Sequence, residues 1–340
     1  MGDRDKRSEL WRVTGYAMWI AQEAAIEATS ELERLSIPLD REVDIFSIIE
    51  DAGLPLMFRP LKRLFGAYIP ADPKADLVAG IIIHAGHPRS LQRYTAAHEY
   101  AHYISGGPLS LDEQTEILGR TAQMQLPIHE RFAEIFASWF LMPIELVTNL
   151  TRSLEINMSR PNPPDIYQLS LALGTSYAAT ITQLVSLKMI SPTQARQLRS
   201  WQPKQIKEHL SWDGLVASAR NDIWVINKAY KDHSVHPRVG DELYLLLPET
   251  PSTGYIWEGA GLEPKITLVS QRFVETETGL IFGAEGQREF KFCLAQAGRF
   301  NLSLSMQRPW LGIQSQVEEF RIELLIEGER LGINPVFLLG

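Results

Sequence analysis

The chain has 340 residues, 45% of them hydrophobic and 22% charged, the balance of an ordinary soluble globular protein. That length exceeds what a single hydrophobic core organises, so roughly two or three domains are expected. The formal net charge of −8 works against an unspecific grip on nucleic acid, which relies on a basic face to displace counterions.

The lone cysteine, Cys293, excludes an internal disulfide and sits in the alternating run Phe290-Lys291-Phe292-Cys293-Leu294, where it reads as a small strand residue rather than a catalytic thiol. No stretch approaches the ~18 uninterrupted apolar residues of a membrane span. Arg12, Gln22 and Glu23 interrupt the run from Leu10 to Ala25, so a secretory signal is not expected either. These features together predict a cytoplasmic protein.

In chain order, Glu9 to Arg34 carries apolar residues at helical spacing (Leu10, Val13, Ala17, Ile20, Ala24), and a second helix is predicted from about Asp40 to Gly53. Leu56-Met57-Phe58 and Ala79 to Ile83 read as strands, with a turn over Pro70 to Pro73. A helix from Leu91 through His102 stops at Ser105-Gly106-Gly107-Pro108. Further helices are predicted over Pro127 to Met142 and Pro143 to Leu154, then a linker at Pro161-Asn162-Pro163-Pro164. Short helices follow over Asp165 to Leu173, Ser176 to Met189 and Pro192 to Leu198. From Trp224 onward the texture becomes alternating runs punctuated by Gly, Pro and Ser, the pattern of an antiparallel sandwich.

Within the third helix stands His98-Glu99-Tyr100-Ala101-His102. Helical positions four apart share a face, so both imidazoles can reach one ion, and Glu99 is placed beside water at that ion. Zinc lowers the pKa of such water to about 7, and a neighbouring carboxylate can take its proton during attack on a carbonyl. A catalytic zinc needs a third protein ligand, and the next helix offers Glu130 and Glu134, again four apart beside the apolar Phe132, Ile135, Phe136, Trp139 and Phe140. One carboxylate can ligate while the other supports a histidine from behind. An ordinary solvated acidic edge is the alternative.

The run Tyr94 to His102, followed by Glu130 to Pro143 with Leu141-Met142-Pro143 in register, resembles the ImmA/IrrE family of metallopeptidases. The likeness extends upstream to Ile37-Pro38-Leu39-Asp40, Gly66-Ala67-Tyr68 and Gly80 to Ile83, and so covers about residues 35 to 150. It implies a zincin-like domain with His98, His102 and Glu130 as zinc ligands and Glu99 as general base. Glu134 departs from the family's Asn or Asp, which alters the surroundings of the ligands. His129 reads as exposed and incidental, with a ligand or oxyanion-donor role as the alternative. Whether Tyr94 or Tyr103 polarises a carbonyl stays open. By the resemblance, the substrate is a protein such as a helix-turn-helix repressor, cut in response to stress or mobile-element signals.

Two helices joined at Gly174-Thr175 have the look of a helix-turn-helix. The second, Ser176 to Lys188, offers little beyond Gln183 and Lys188 to read bases or grip phosphates, so packing or protein docking is expected rather than direct nucleic-acid binding.

Three loops mark the C-terminal part: Thr250-Pro251-Ser252-Thr253-Gly254-Tyr255, Gly283-Ala284-Glu285-Gly286, and Arg308-Pro309-Trp310. Turn chemistry explains their Gly and Pro, while an aromatic and an arginine beside a rigid Pro suit an interface. Together they resemble the loops of chagasin-type inhibitors of papain-like cysteine proteases, an immunoglobulin-like fold, over about residues 225 to 327. Thr250 and Ser252 depart from that family's Asn and Thr. The fold class expected is multidomain α+β: a zinc metallopeptidase domain (1–155), a helical segment (156–221) and an all-β immunoglobulin-like sandwich (222–340). The competing expectation is a non-catalytic protein whose sandwich binds a papain-like protease. The tail from Ile333 to Gly340, apolar for a terminus, is expected to pack on a domain or another subunit.

Overall fold

A computed structural model describes residues 3–107, 110–113, 127–212, 214, 218, 220–259, 266–275, 286–328 and 332–333, with backbone alone for 3–17, 110–113 and 332–333. Gly283 and the tail beyond Ile333 lie outside the described residues, as do the side chains of Leu10, Val13 and Ala17. The first half contains α1 (Asp3–Arg34), α2 (Ile45–Asp51), β1 (Leu56–Arg59), β2 (Leu64–Ile69), β3 (Gly80–His84), α3 (Arg89–Ile104), β4 (Ser110–Glu113), α4 (Ile128–Leu141) and α5 (Ile144–Ser153). Four short helices follow: α6 (Pro163–Ala172), α7 (Tyr177–Ser186), α8 (Pro192–Arg199) and α9 (Pro203–Leu210). The rest is β5 (Ile223–Ile226), β6 (Ser234–Val235), β7 (Glu242–Glu249), β8 (Ile256–Gly259), β9 (Ile266–Glu275), β10 (Gly286–Leu294), β11 (Gly298–Gln307), β12 (Glu318–Ile326) and β13 (Gly332–Ile333). Among the described residues no helix is long and apolar enough to cross a membrane.

The chain divides into two compact units: Met1–Asn149 with Leu173–Leu187 and Glu329–Gly340, and Leu150–Ala172 with Lys188–Gly328. The first holds a five-stranded sheet in the order β13-β1-β3-β2-β4. In it β1 and β3 run parallel, and the other pairings are antiparallel. Helices α1, α3 and α4 pack together beside it. Ile20, Ala24, Ala28 and Leu32 form the buried stripe of α1, four apart as a helix facing a core requires.

Two devices seat α3. Gly66 of β2 lets the helix come close, since a Cβ there would stand 2.5 Å from Thr95 Cγ2 and 2.9 Å from the Ile82 carbonyl. Arg93, fully buried, donates to the carbonyls of Gly174 (3.0 Å) and Val43 (2.8 Å). These bonds, with the Arg89–Glu42 ion pair, tie residues 42 and 43 to α3 outside any helix. Helix α2 therefore starts at Ile45 behind the Asp44 cap, which accepts from the Ser47 amide, and not near Asp40 as its apolar spacing suggests. Helix α7 also belongs to this unit. Its Gln183 is buried and donates to the Met142 carbonyl that ends α4 (3.1 Å).

In the second unit two four-stranded sheets, β5-β7-β10-β9 and β6-β12-β11-β8, face each other across a core that includes Trp224, Leu245, Trp257, Phe292, Leu304 and Leu324. The inward positions alternate along β7 and β10, as the sequence pattern predicts. The edge strand β5 is capped by a side chain of α6: Gln168 donates to the Ile223 carbonyl (2.8 Å) and accepts from the Val225 amide (2.9 Å). The amide of one glutamine thus replaces a neighbouring strand. Helix α9, which apolar spacing alone does not announce, packs on α6 and β5.

Substituting Gly66→Ala should destabilise the first unit by about 1–3 kcal/mol through overpacking. Urea denaturation followed by circular dichroism measures this, and Thr95→Ala in the same background should recover part of the loss.

Candidate metal centre and recognition loops

Helices α3 and α4 cross so that one face of each meets the other. Tyr100 stacks near Phe140 (5.9 Å between rings), and Ala133, Phe136 and Ala137 complete the buried side of α4. Tyr100 also donates to Glu31 of α1, and the Tyr94 hydroxyl donates to the Glu134 carbonyl at 3.3 Å. Both rings of the helix pair are thereby used to fix its orientation.

That crossing brings His98, His102 and Glu130 together. His98 Nε2 lies 3.1 Å from Glu130 Oε2, His102 Nε2 lies 3.6 Å from the same oxygen, and the two Nε2 atoms are 3.2 Å apart. Burial pushes the His98 imidazole towards its neutral form, against the pull of Glu130. Burial also favours a neutral Glu130, but hydrogen bonds and charges from His102 and His98 outweigh it and hold that carboxyl well below the usual range. Three potential metal donors therefore converge, already hydrogen-bonded to one another. Four ligands at about 2.0–2.1 Å around a tetrahedral zinc would stand about 3.3–3.4 Å apart, so the donor set and spacing fit such an ion. Nδ1 of His98 is buried without a hydrogen-bond partner among the described residues.

Glu99, one residue past His98 on α3, is fully buried. Glu134 lies one turn beyond Glu130 on α4, and its carbonyl also accepts from Ser138 Oγ (3.1 Å). His129 is half exposed, as its sequence position suggests, yet its Nε2 approaches Glu130 Oε1 at 3.4 Å. His84 and His87 stack on each other at 4.1 Å, with His87 against Phe65.

The strand registers of the sandwich gather the predicted loops at one end. Gly286 opens β10 opposite Glu249, the last residue of β7, and Gln307 ends β11 opposite Ile256, the first of β8. The Thr250 and Arg308 loops leave from these positions. Pro251–Thr253 forms a 3-10 turn closed by Gly254 at φ +80°. A Cβ at Gly254 would lie 2.7 Å from the Trp310 ring, so only glycine fits both the backbone and the neighbour. Arg308 stacks over Tyr255 (4.6 Å) and donates to the Thr253 carbonyl (3.4 Å). Trp310 is 68% exposed, beside the exposed Pro309 and Leu311. Thr250 is half buried, while Ser252 and Thr253 face solvent.

Gly286 stands at the start of β10 and also has a packing role. A Cβ there would overlap the Phe273 ring, so its small size lets β10 and β9 pair closely. Sequence reasoning also passes over Glu249, whose buried carboxylate accepts from the Trp257 amide (2.9 Å) and from Arg288 (2.6 Å). Its signal is a charge at the inward phase of Leu243, Leu245 and Leu247 on an alternating strand. Glu249 anchors both stems of the Thr250 loop.

Residues 49–154 match the family described as the IrrE N-terminal-like domain, a metallopeptidase-type domain, and residues 237–324 match the chagasin family of peptidase inhibitors. Chagasin of Trypanosoma cruzi is 28% identical over 104 residues, covering 29% of this chain and 94% of that protein. Among solved structures, the cysteine protease inhibitor EhICP2 of Entamoeba histolytica is 18% identical with a TM-score of 0.28, over 32% of this chain and 100% of its own. Amebosin is likewise 18% identical with a TM-score of 0.27, over 32% of this chain and 98% of its own. The chain thus carries a match to the IrrE N-terminal-like domain at residues 49–154 and one to the chagasin family at residues 237–324.

Proposed function

We propose that this chain is a cytoplasmic zinc-dependent endopeptidase of the ImmA/IrrE type, with His98, His102 and Glu130 as the metal ligands and Glu99 as the general base. The observation that carries this reading is the convergence of those three donors to within 3.1–3.6 Å across two packed helices. Zinc, when bound, supplies a Lewis acid that polarises a carbonyl and brings the pKa of water to about 7. Burial favours the neutral His98 imidazole, the form that can offer a ring nitrogen to a metal. The carboxylate of Glu99 takes the proton of the attacking water and passes it to the departing amine. Glu134 supports the ligand set from the next turn of α4. The substrate class is a regulatory protein such as a helix-turn-helix repressor cut under stress, and the sandwich selects or regulates that target through its loop end.

Chagasin-like sequence at the sandwich and the bracing of Arg308 and Trp310 against Thr253 to Tyr255 favour a second reading. In it the protein binds a papain-like cysteine protease through Thr250 to Tyr255 and Arg308 to Trp310, and the metal site is structural.

Purified protein should contain about one zinc per chain, and Glu99→Gln should retain it while lowering kcat/KM on the repressor encoded nearest this gene by about 10²–10⁴-fold. Undiminished cleavage by Glu99→Gln would remove that residue from the chemistry. Glu130→Ala should weaken zinc binding beyond the roughly 10–100-fold that loss of an outer partner costs, as read by competition with a chelating dye. Titration of the full chain against papain tests the second reading: inhibition that Trp310→Ala weakens about 30-fold or more would support it, and papain activity unchanged by the full chain would dismiss it.

A further inference from the structure

No Asp or Glu occurs between Asp165 and Glu208, the longest acid-free run in a chain of net charge −8, yet that run carries Lys188, Arg196, Arg199, Lys204 and Lys207. Four of these cations, all except Lys207, are exposed in the second unit. Lys207 is buried and committed to Asp222 at 2.8 Å. Ala195, Leu198 and Ile206 turn inward from α8 and α9, which leaves Arg196, Arg199 and Lys204 on the outer side. The link between the helices is Ser200-Trp201-Gln202, so Arg199 and Lys204 flank Trp201 within about 18 Å of each other even if fully extended. Trp201 is 38% exposed and braced edge-on by the His209 ring at 5.9 Å.

We infer that Arg196, Arg199, Trp201 and Lys204 form a binding surface for single-stranded nucleic acid, independent of the metal centre. The cations meet phosphates and the fixed indole offers a face on which a base stacks. The helix N-termini are not the anion sites: Gln194 and Gln205 fold back to accept from the Ser191 and Gln202 amides (2.8 Å each), closing both first turns. The acidic neighbour on these helices is Glu208, 3.7 Å from Lys204 in an exposed pair that salt and phosphate readily displace. An anionic membrane is the poorer partner. It requires a row of apolar side chains to insert, whereas Trp201 is the one large apolar side chain exposed between Ile144 and Val239 among the described residues. The overall negative charge opposes long-range attraction of a polyanion, so binding here rests on the local cations, which lie one and two helices beyond the sparse bases of α7.

The test is fluorescence anisotropy of labelled oligothymidylate with the full-length protein, in sodium chloride from about 50 to 200 mM. Three phosphate contacts predict a log–log salt slope near −2, at about −0.7 per contact on a single strand. The triple variant Arg196→Ala/Arg199→Ala/Lys204→Ala should flatten that slope. Trp201→Ala should weaken binding about five- to a hundred-fold at every salt without changing it, and Trp201→Phe should restore most of the loss. Failure to bind at the lowest salt, or binding that the triple variant leaves intact, would overturn the proposal. So would adsorption to phosphatidylserine vesicles without binding of the oligonucleotide, or duplex binding as tight as single-strand binding and indifferent to Trp201.

Discussion

Two imidazoles and a carboxylate are held on adjacent helices with their Nε2 and Oε2 atoms 3.1–3.6 Å apart. Burying such groups together costs free energy that their mutual hydrogen bonds, or a shared cation, must offset. Much of the first unit serves to impose that approach. Gly66 admits α3 to the sheet, Arg93 ties it to the chain at Val43 and Gly174, Tyr100 ties it to Glu31 of α1, and Tyr94 ties it to the backbone of α4. Four separate contacts thus fix where this helix lies.

The loop end of the sandwich is built on the same logic with different materials. Buried Glu249 joins the Thr250 and Ile256 sides of one turn through Arg288 and the Trp257 amide, while Arg308 and Trp310 brace the tip. A loop fixed in this way loses little conformational entropy when it meets a partner, which is the usual route by which a small contact area becomes a firm one.

Glutamine amides recur as connectors in both units. Gln183 ends α4, Gln168 caps strand β5, and Gln194 and Gln205 close the first turns of α8 and α9. Because a glutamine both donates and accepts, it can stand in for a backbone peptide wherever a helix or strand runs out of its own kind. The helical segment that reads as one element in sequence is thereby divided, with α7 in one unit and α6, α8 and α9 in the other.

Local spacing determined a great deal on its own. The positions of His98, Glu99 and His102 on one helix, the Glu130–Glu134 pair on the next, the alternation of β7 and β10, and the order of the Thr250 and Arg308 loops were all legible, because helix and strand periodicities act over a few residues. The start of α2, the inward role of Glu249, the packing duty of Gly286 and the burial of Gln183 were not. Each depends on a partner elsewhere in the chain: Arg93 on Val43, Arg288 on Glu249, Phe273 on Gly286, Met142 on Gln183. Sequence alone therefore named the donors of the candidate metal centre, and only the tertiary structure decided that they meet, since the distance between two helices is set by side chains that neither periodicity nor composition reveals.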